Sequence, residues 1–160
     1  MKPSLLVVFL PLSACQWGFR NHPDEGRYLT GEPNSAWVRV NPGSADQAWF
    51  NKSDAASIYT DSNCGKRFDD GSLEGMLDHL TRGIATGEPV RDLRLRLADR
   101  DALVRSWTGS LDGVSIQIGA MVLKRSDCVY DALFIAPSST FDQNWPQFEQ
   151  VYTGFAVGGK

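Results

Sequence analysis

The reactive inventory of this 160-residue sequence is small: two histidines, three cysteines and a scatter of acidic side chains. His79 follows Asp78 in a stretch of helical periodicity, where a metal-binding histidine needs a further ligand one turn away. Its neighbours there are Gly75 and Arg82, so His79 reads as a surface residue. His22 lies in an irregular stretch, and no Gly-x-Ser-x-Gly elbow, His-Glu-x-x-His pair or Walker loop occurs. Asp61 with Asp69-Asp70 offers carboxylates for calcium, but Asp-Asp-Gly is ordinary turn composition and lacks the spaced ligands of an EF-hand loop. Neither a metal nor a cofactor is expected, and the chain is not expected to be an enzyme.

Four kinds of side chain remain as candidates for binding. Arg91, Arg94, Arg96, Arg100 and Arg105 form the basic cluster, and alternation puts Arg94 and Arg96 on one strand face, open to an anionic partner. Asp92, Asp99 and Asp101 interleave with them and offer local pairing instead. Asp131 shares a strand face with Val129, Leu133 and Ile135, where an unpaired carboxylate is costly. An arginine or backbone partner is one explanation, and a functional carboxylate is the other. Trp145 and Tyr152 belong to an aromatic stripe of helical spacing that fits either a core or a ligand or partner groove.

Charge narrows the partners. Sixteen Lys and Arg against nineteen Asp and Glu leave a formal charge of −3. With no basic excess to neutralise a phosphate backbone, nucleic acid is not an expected partner. The length and a 42% hydrophobic composition suit one globular domain with a single core.

The N-terminus differs in kind. Lys2 supplies a positive charge, and residues 5–12 are an apolar run interrupted by Pro11, the plan of a secretory signal. The run is far shorter than the roughly 20 apolar residues that a bilayer span needs. It ends in Leu12-Ser13-Ala14-Cys15, which resembles the bacterial lipobox: a branched residue, two small residues and the cysteine that receives diacylglycerol before cleavage. The resemblance implies a leader over residues 1–14 and a mature chain starting at lipidated Cys15. Acyl chains, each worth about 0.8 kcal/mol per buried methylene, would then hold the protein on a bilayer without a transmembrane helix. An ordinary small-residue cleavage site, with Cys15 incidental, is the alternative. Gln16 in place of Asp lacks the usual inner-membrane retention signal of enterobacterial lipoproteins and so favours the periplasmic side of the outer membrane.

If Cys15 carries lipid, Cys64 and Cys128 remain as an even pair in an oxidising compartment, and a disulfide between them is the expectation. Cys64 lies just past a candidate strand over residues 55–60 and Cys128 opens another, so both fall at one rim of a sheet. Two unpaired buried thiols are the alternative, whereas no Cys-x-x-Cys spacing supports a redox pair.

The elements that must position these residues follow from periodicity. Residues 15–35, with Gly18, Pro23, Gly26, Gly31 and Pro33, read as a membrane-proximal tether whose aromatics Trp17, Phe19 and Tyr28 pack on the domain or sit at the lipid interface. The globular domain spans residues 36–160. Two or three short strands over residues 36–60 precede a helix capped by Ser72 that carries Leu73, Met76, Leu77, Leu80 and Ile84 and is ended by Gly83 and Gly87. A β-meander follows, with Leu93, Leu95 and Leu97 in alternation, a strand over residues 102–108, an Asp112-Gly113 hairpin turn, and strands over residues 114–124 and 128–135. Phe141, Trp145, Phe148, Tyr152 and Phe155 then mark a C-terminal helix, placed after a short turn over residues 138–143, with Asn144 as its cap because Pro146 belongs in a first turn. Apolar residues on both faces of residues 128–135 require a helix on each side of the sheet.

This order of elements resembles the PsbP-like family, which includes an extrinsic photosystem protein, a Ran-binding nuclear import factor and many small bacterial lipoproteins. The residues that carry the resemblance are Cys128-Val129-Tyr130-Asp131-Ala132-Leu133-Phe134-Ile135-Ala136 and the ending Phe148-Glu149-Gln150-Val151-Tyr152-Thr153-Gly154-Phe155. It covers roughly residues 36–157 and implies an α+β fold, a largely antiparallel sheet flanked by two helices in an α/β/α sandwich. It also implies a non-enzymatic adaptor or assembly role. The expected function is therefore that of an envelope lipoprotein that binds an envelope protein. The alternative is a lipid or small hydrophobic ligand held between the sheet and the aromatic helix. Substituting Cys15→Ser is expected to move the protein from the membrane to the soluble fraction and to remove the acyl mass from the intact chain. An unchanged mass and distribution would leave Cys15 without its assigned role.

Overall fold

The structure, a computed structural model, describes residues 28–68 and 71–157. Residues 1–14, expected to be a leader, and Cys15, Trp17, Phe19, His22, Asp69 and Asp70 lie outside the described residues. The strands are β1 (Tyr28–Leu29), β2 (Val38–Arg39), β3 (Gln47–Asn51), β4 (Ala56–Cys64), β5 (Ala85–Leu97), β6 (Arg100–Leu111), β7 (Val114–Arg125), β8 (Cys128–Pro137) and β9 (Ala156–Val157). The helices are α1 (Leu73–Leu80) and α2 (Phe141–Thr153), with a 3₁₀ turn at Lys66–Phe68. Seven strands form one antiparallel sheet in the order β2-β3-β4-β8-β7-β6-β5, and β1 pairs with β9 in a small second sheet. No helix among the described residues is long and apolar enough to cross a membrane.

The meander is built by local turn chemistry. Asp112 and Gly113 both adopt positive φ (51° and 81°), as do Ala98 and Asp99 (47° and 59°). Two-residue turns of this hand match the twist of the strands that they join. The strands run longer than periodicity indicates. β5 begins at Ala85, carrying Gly87 inside it, and an irregularity between Thr86 and Arg91 interrupts its pairing with β6.

The two faces of the sheet are filled differently. On one face α2 packs Phe141, Phe148, Val151 and Tyr152 against Trp49, Ile58, Val104, Met121 and Phe134. The Phe134 ring stacks on Phe141 and on Phe148, with centroids 4.8 and 5.5 Å away. Gly119 in β7 makes room for them, because a Cβ there would stand 2.8 Å from the Trp145 ring and 3.1 Å from that of Phe148. On the other face α1 covers Leu103, Trp107, Ala120 and Val122 with Leu77 and its neighbours. At eight residues, α1 is only about 12 Å long and leaves the β4–β8 part of its face uncovered.

Three boundaries differ from the sequence expectation, each for a physical reason. The helix beginning after Ser72 stops at Leu80, short of Ile84, because the Thr81 hydroxyl turns back onto the Leu77 carbonyl (2.9 Å) and Gly83 adopts φ 87°. The C-terminal helix starts at Phe141 rather than at Asn144. Asn144 is buried inside it and donates to Asp54 Oδ2 (2.9 Å) and the Thr140 carbonyl (3.0 Å), so tertiary hydrogen bonds hold a turn ahead of Pro146. The chain also joins the fold before residue 36. Tyr28 stacks on Phe155 (5.1 Å) and bonds Thr60, and the Gly31 amide donates to the Val151 carbonyl, so the last residues assigned to the tether belong to the domain.

Cys64 and Cys128 are joined by a disulfide across directly opposed positions of β4 and β8. Because 64 positions separate them, loop-closure entropy assigns the bridge about 4 kcal/mol. A Cys64→Ser/Cys128→Ser double variant is expected to lose about 2–5 kcal/mol in urea unfolding. A loss below about 1 kcal/mol would show that the register is held without it.

Candidate functional site

Where α1 ends, the sheet face carries a cleft of about 570 Å³. Its floor is the β4–β8 ladder, where Asp61 stands directly opposite Asp131, flanked by Asn63 and Val129. Met76, His79 and Leu80 of α1 form one wall, Val122 of β7 lies beneath them, and Arg67 and Phe68 of the 3₁₀ turn close the far end. Helix α1 is fixed in place locally: the Ser72 hydroxyl accepts from the Gly75 amide (3.1 Å), an N-cap, and Arg94 of β5 pairs with Glu74 in its first turn.

Asp131 is the most perturbed carboxylate among the described residues that line the cleft. It accepts no hydrogen bond from any of them, and no arginine pairs with it, contrary to the arginine or backbone partner expected of it. Burial is the main cause of its shift, and the charges of Asp61 and Asp46 add to it, so its carboxyl is pushed up to about 7. Asp61 is shifted upward as well, chiefly by burial, against the pull of the Ser62 amide that donates to it (2.9 Å). The charge of Asp61, directly opposite across the ladder, thus works against ionisation of Asp131.

The remaining candidates fall elsewhere. Arg94 and Arg96 share the α1 face as alternation requires, yet each has a local partner: Glu74 for Arg94, and Asp101 with the Asp99 carbonyl for Arg96. Tyr152 is not a surface residue but is 2% exposed in the aromatic core. Trp145 is half-buried and covered by the Arg91 guanidinium at 4.3 Å. The aromatic helix is thus packed core, and the cavity lies under the other helix, which corrects the expected location of a ligand pocket. By sequence alone Asp61 stands out only as a companion of Asp69-Asp70. The missed signal is the alternation of Ala56, Ile58 and Thr60 with Ser57, Tyr59, Asp61 and Asn63, which marks a polar face running along β4.

No family model matches the chain, and no curated protein matches it by sequence. Solved structures do match it, at a level that shows the fold. Cyanobacterial PsbP (CyanoP) from Synechocystis has a TM-score of 0.55 at 10% identity, over 78% of this chain and 83% of its own. LpqN of Mycobacterium tuberculosis, a protein involved in cell envelope biogenesis, has a TM-score of 0.60 at 11% identity, over 86% and 88%. The fold is PsbP-like. A Bacteroides thetaiotaomicron structure also matches, with a TM-score of 0.59 at 10% identity over 83% of this chain, which spans 46% of that protein's length.

The carboxylate floor has a definite signature in stability. An acid whose folded pKa lies above its unfolded value of 3.8 holds more protons folded than unfolded. Its contribution is therefore most favourable near or below the unfolded value and is lost as pH rises toward about 7, by up to about 4 kcal/mol. Asp131→Asn is expected to match the parent protein in urea unfolding near pH 4 and to exceed it by about 1–4 kcal/mol near pH 8. A difference that does not change with pH would contradict the shift.

Proposed function

We propose that this chain is a non-enzymatic binding module of the bacterial cell envelope that holds a segment of an envelope protein in the cleft between α1 and the sheet. The observation that carries the reading is the cleft itself, a concave site with apolar walls and a few convergent polar groups. Attachment through lipidated Cys15 is supported by the Leu12-Ser13-Ala14-Cys15 motif, and the outer membrane is favoured by Gln16. Envelope placement draws further support from the likeness to LpqN, described as acting in cell envelope biogenesis.

Binding is preferred over catalysis on the chemistry of the cleft. Asp61, Asp131 and His79 do line one cavity, as an acid–base reading would require. His79, however, is an exposed residue of the wall, and the two carboxylates oppose each other on the floor, an arrangement suited to a counter-ion. The cavity volume supports a second reading, a small ligand instead of a polypeptide. Native mass spectrometry of the purified chain is expected to show an adduct in that case.

A photo-crosslinking residue in place of His79 is expected to capture one discrete envelope protein at native expression. The same residue in place of Asp112, at the tip of the β6–β7 hairpin, is expected to capture none. Failure at both positions, or equal capture at both, would overturn the assignment of the cleft.

A further inference from the structure

The walls and the floor of the cleft ask for different things. Met76, Leu80, Val122 and Val129 present apolar surface, whereas the floor presents Asp131 and Asp61. Asp131 is partly buried, lines the cavity and accepts no hydrogen bond among the described residues. A carboxylate in that position lacks a donor, and supplying one stabilises it.

The charged groups around it do not fill that role. Asp46 accepts from the Ser62 hydroxyl (2.8 Å) and adds negative charge to the site. The Arg67 guanidinium is exposed and lies over the Phe68 ring at 4.7 Å, and His79 is exposed on α1. The charges that raise the Asp131 carboxyl, those of Asp61 and Asp46, are both negative, and apolar side chains line the cleft beside it.

We propose that this floor receives a basic side chain, lysine or arginine, from the partner segment, with its methylene stem lying along Met76, Leu80 and Val129. Such a side chain is apolar along its length and cationic at its tip, the same division that the cleft shows from wall to floor. The cation donates to Asp131 and Asp61 together and removes the repulsion between them. The proposal rests on the binding reading above and adds to it the chemistry of the contact.

The methionines supply the probe. Met76 lines the cleft, whereas Met121 is buried in the aromatic core on the opposite face, and the third, Met1, belongs to the leader. The full chain, labelled with ¹³C at the methionine methyls and held in a neutral maltoside detergent, is titrated with n-pentylamine and separately with 1-pentanol. The Met76 methyl is expected to shift saturably with the amine and not with the alcohol, while Met121 stays still. Asp131→Asn and, independently, Asp61→Asn are each expected to weaken the amine about tenfold or more. No saturable shift at Met76, or the same shift with pentanol, would overturn the proposal. A crosslink from position 79 without an amine-specific shift would retain the binding module and reject the basic side chain. An amine-specific shift without a crosslink would do the reverse.

Discussion

The pairing of β4 with β8 is the constraint on which the rest of the molecule depends. It joins the β2–β3–β4 strands to the meander, and its register places Cys64 opposite Cys128 and Asp61 opposite Asp131. Each cysteine stands three positions from its carboxylate on the same strand, an odd offset, so the disulfide and the carboxylate pair project to opposite faces. A slip of one residue would exchange the faces and carry charge into the Phe134 core. The covalent bridge thus also fixes which face is polar.

From that register follows the asymmetry of the two helical layers. Helix α2 spans thirteen residues and is anchored at its start by Asn144 and Asp54 and near its end by Gly31 and Tyr28, so its face is filled by interlocked rings. Helix α1 has eight residues and covers the β6–β7 side, leaving the carboxylate pair on the open part of the same face. The cleft is the area that a short helix does not reach. Its position over β4 and β8 puts the only partly buried, unpartnered carboxylate among its described lining residues where a ligand has access to it.

Much of this was legible in the amino-acid order. Alternation at Leu93, Leu95 and Leu97 and the Asp112-Gly113 turn define the meander, the Ser72 cap marks the start of α1, and the two-sided apolar pattern of residues 128–135 requires a layer on each face. Asp131 stood out because a carboxylate on an apolar face demands an explanation. What the sequence did not disclose depends on contacts distant along the chain. Asp61 gains meaning only from the β4–β8 register, Asn144 is drawn into a helix by Asp54 far upstream, and Tyr28 leaves the tether because Phe155 stacks on it. The aromatic stripe has the right spacing for a groove or a core, and only the packing of Phe134 and Gly119 beneath it decides for the core.

One fixed register holds Asp131 desolvated beside Asp61 at the floor of an accessible cleft. A pH titration of the Asp131 side-chain carboxyl by ¹³C NMR in the disulfide-bonded protein tests this. A midpoint near 7 is expected, lowered only in part when Asp61 is replaced by asparagine, because burial is the larger cause of the shift. A midpoint near 3.8, unmoved by that substitution, would contradict both the burial and the pairing on which the site is built.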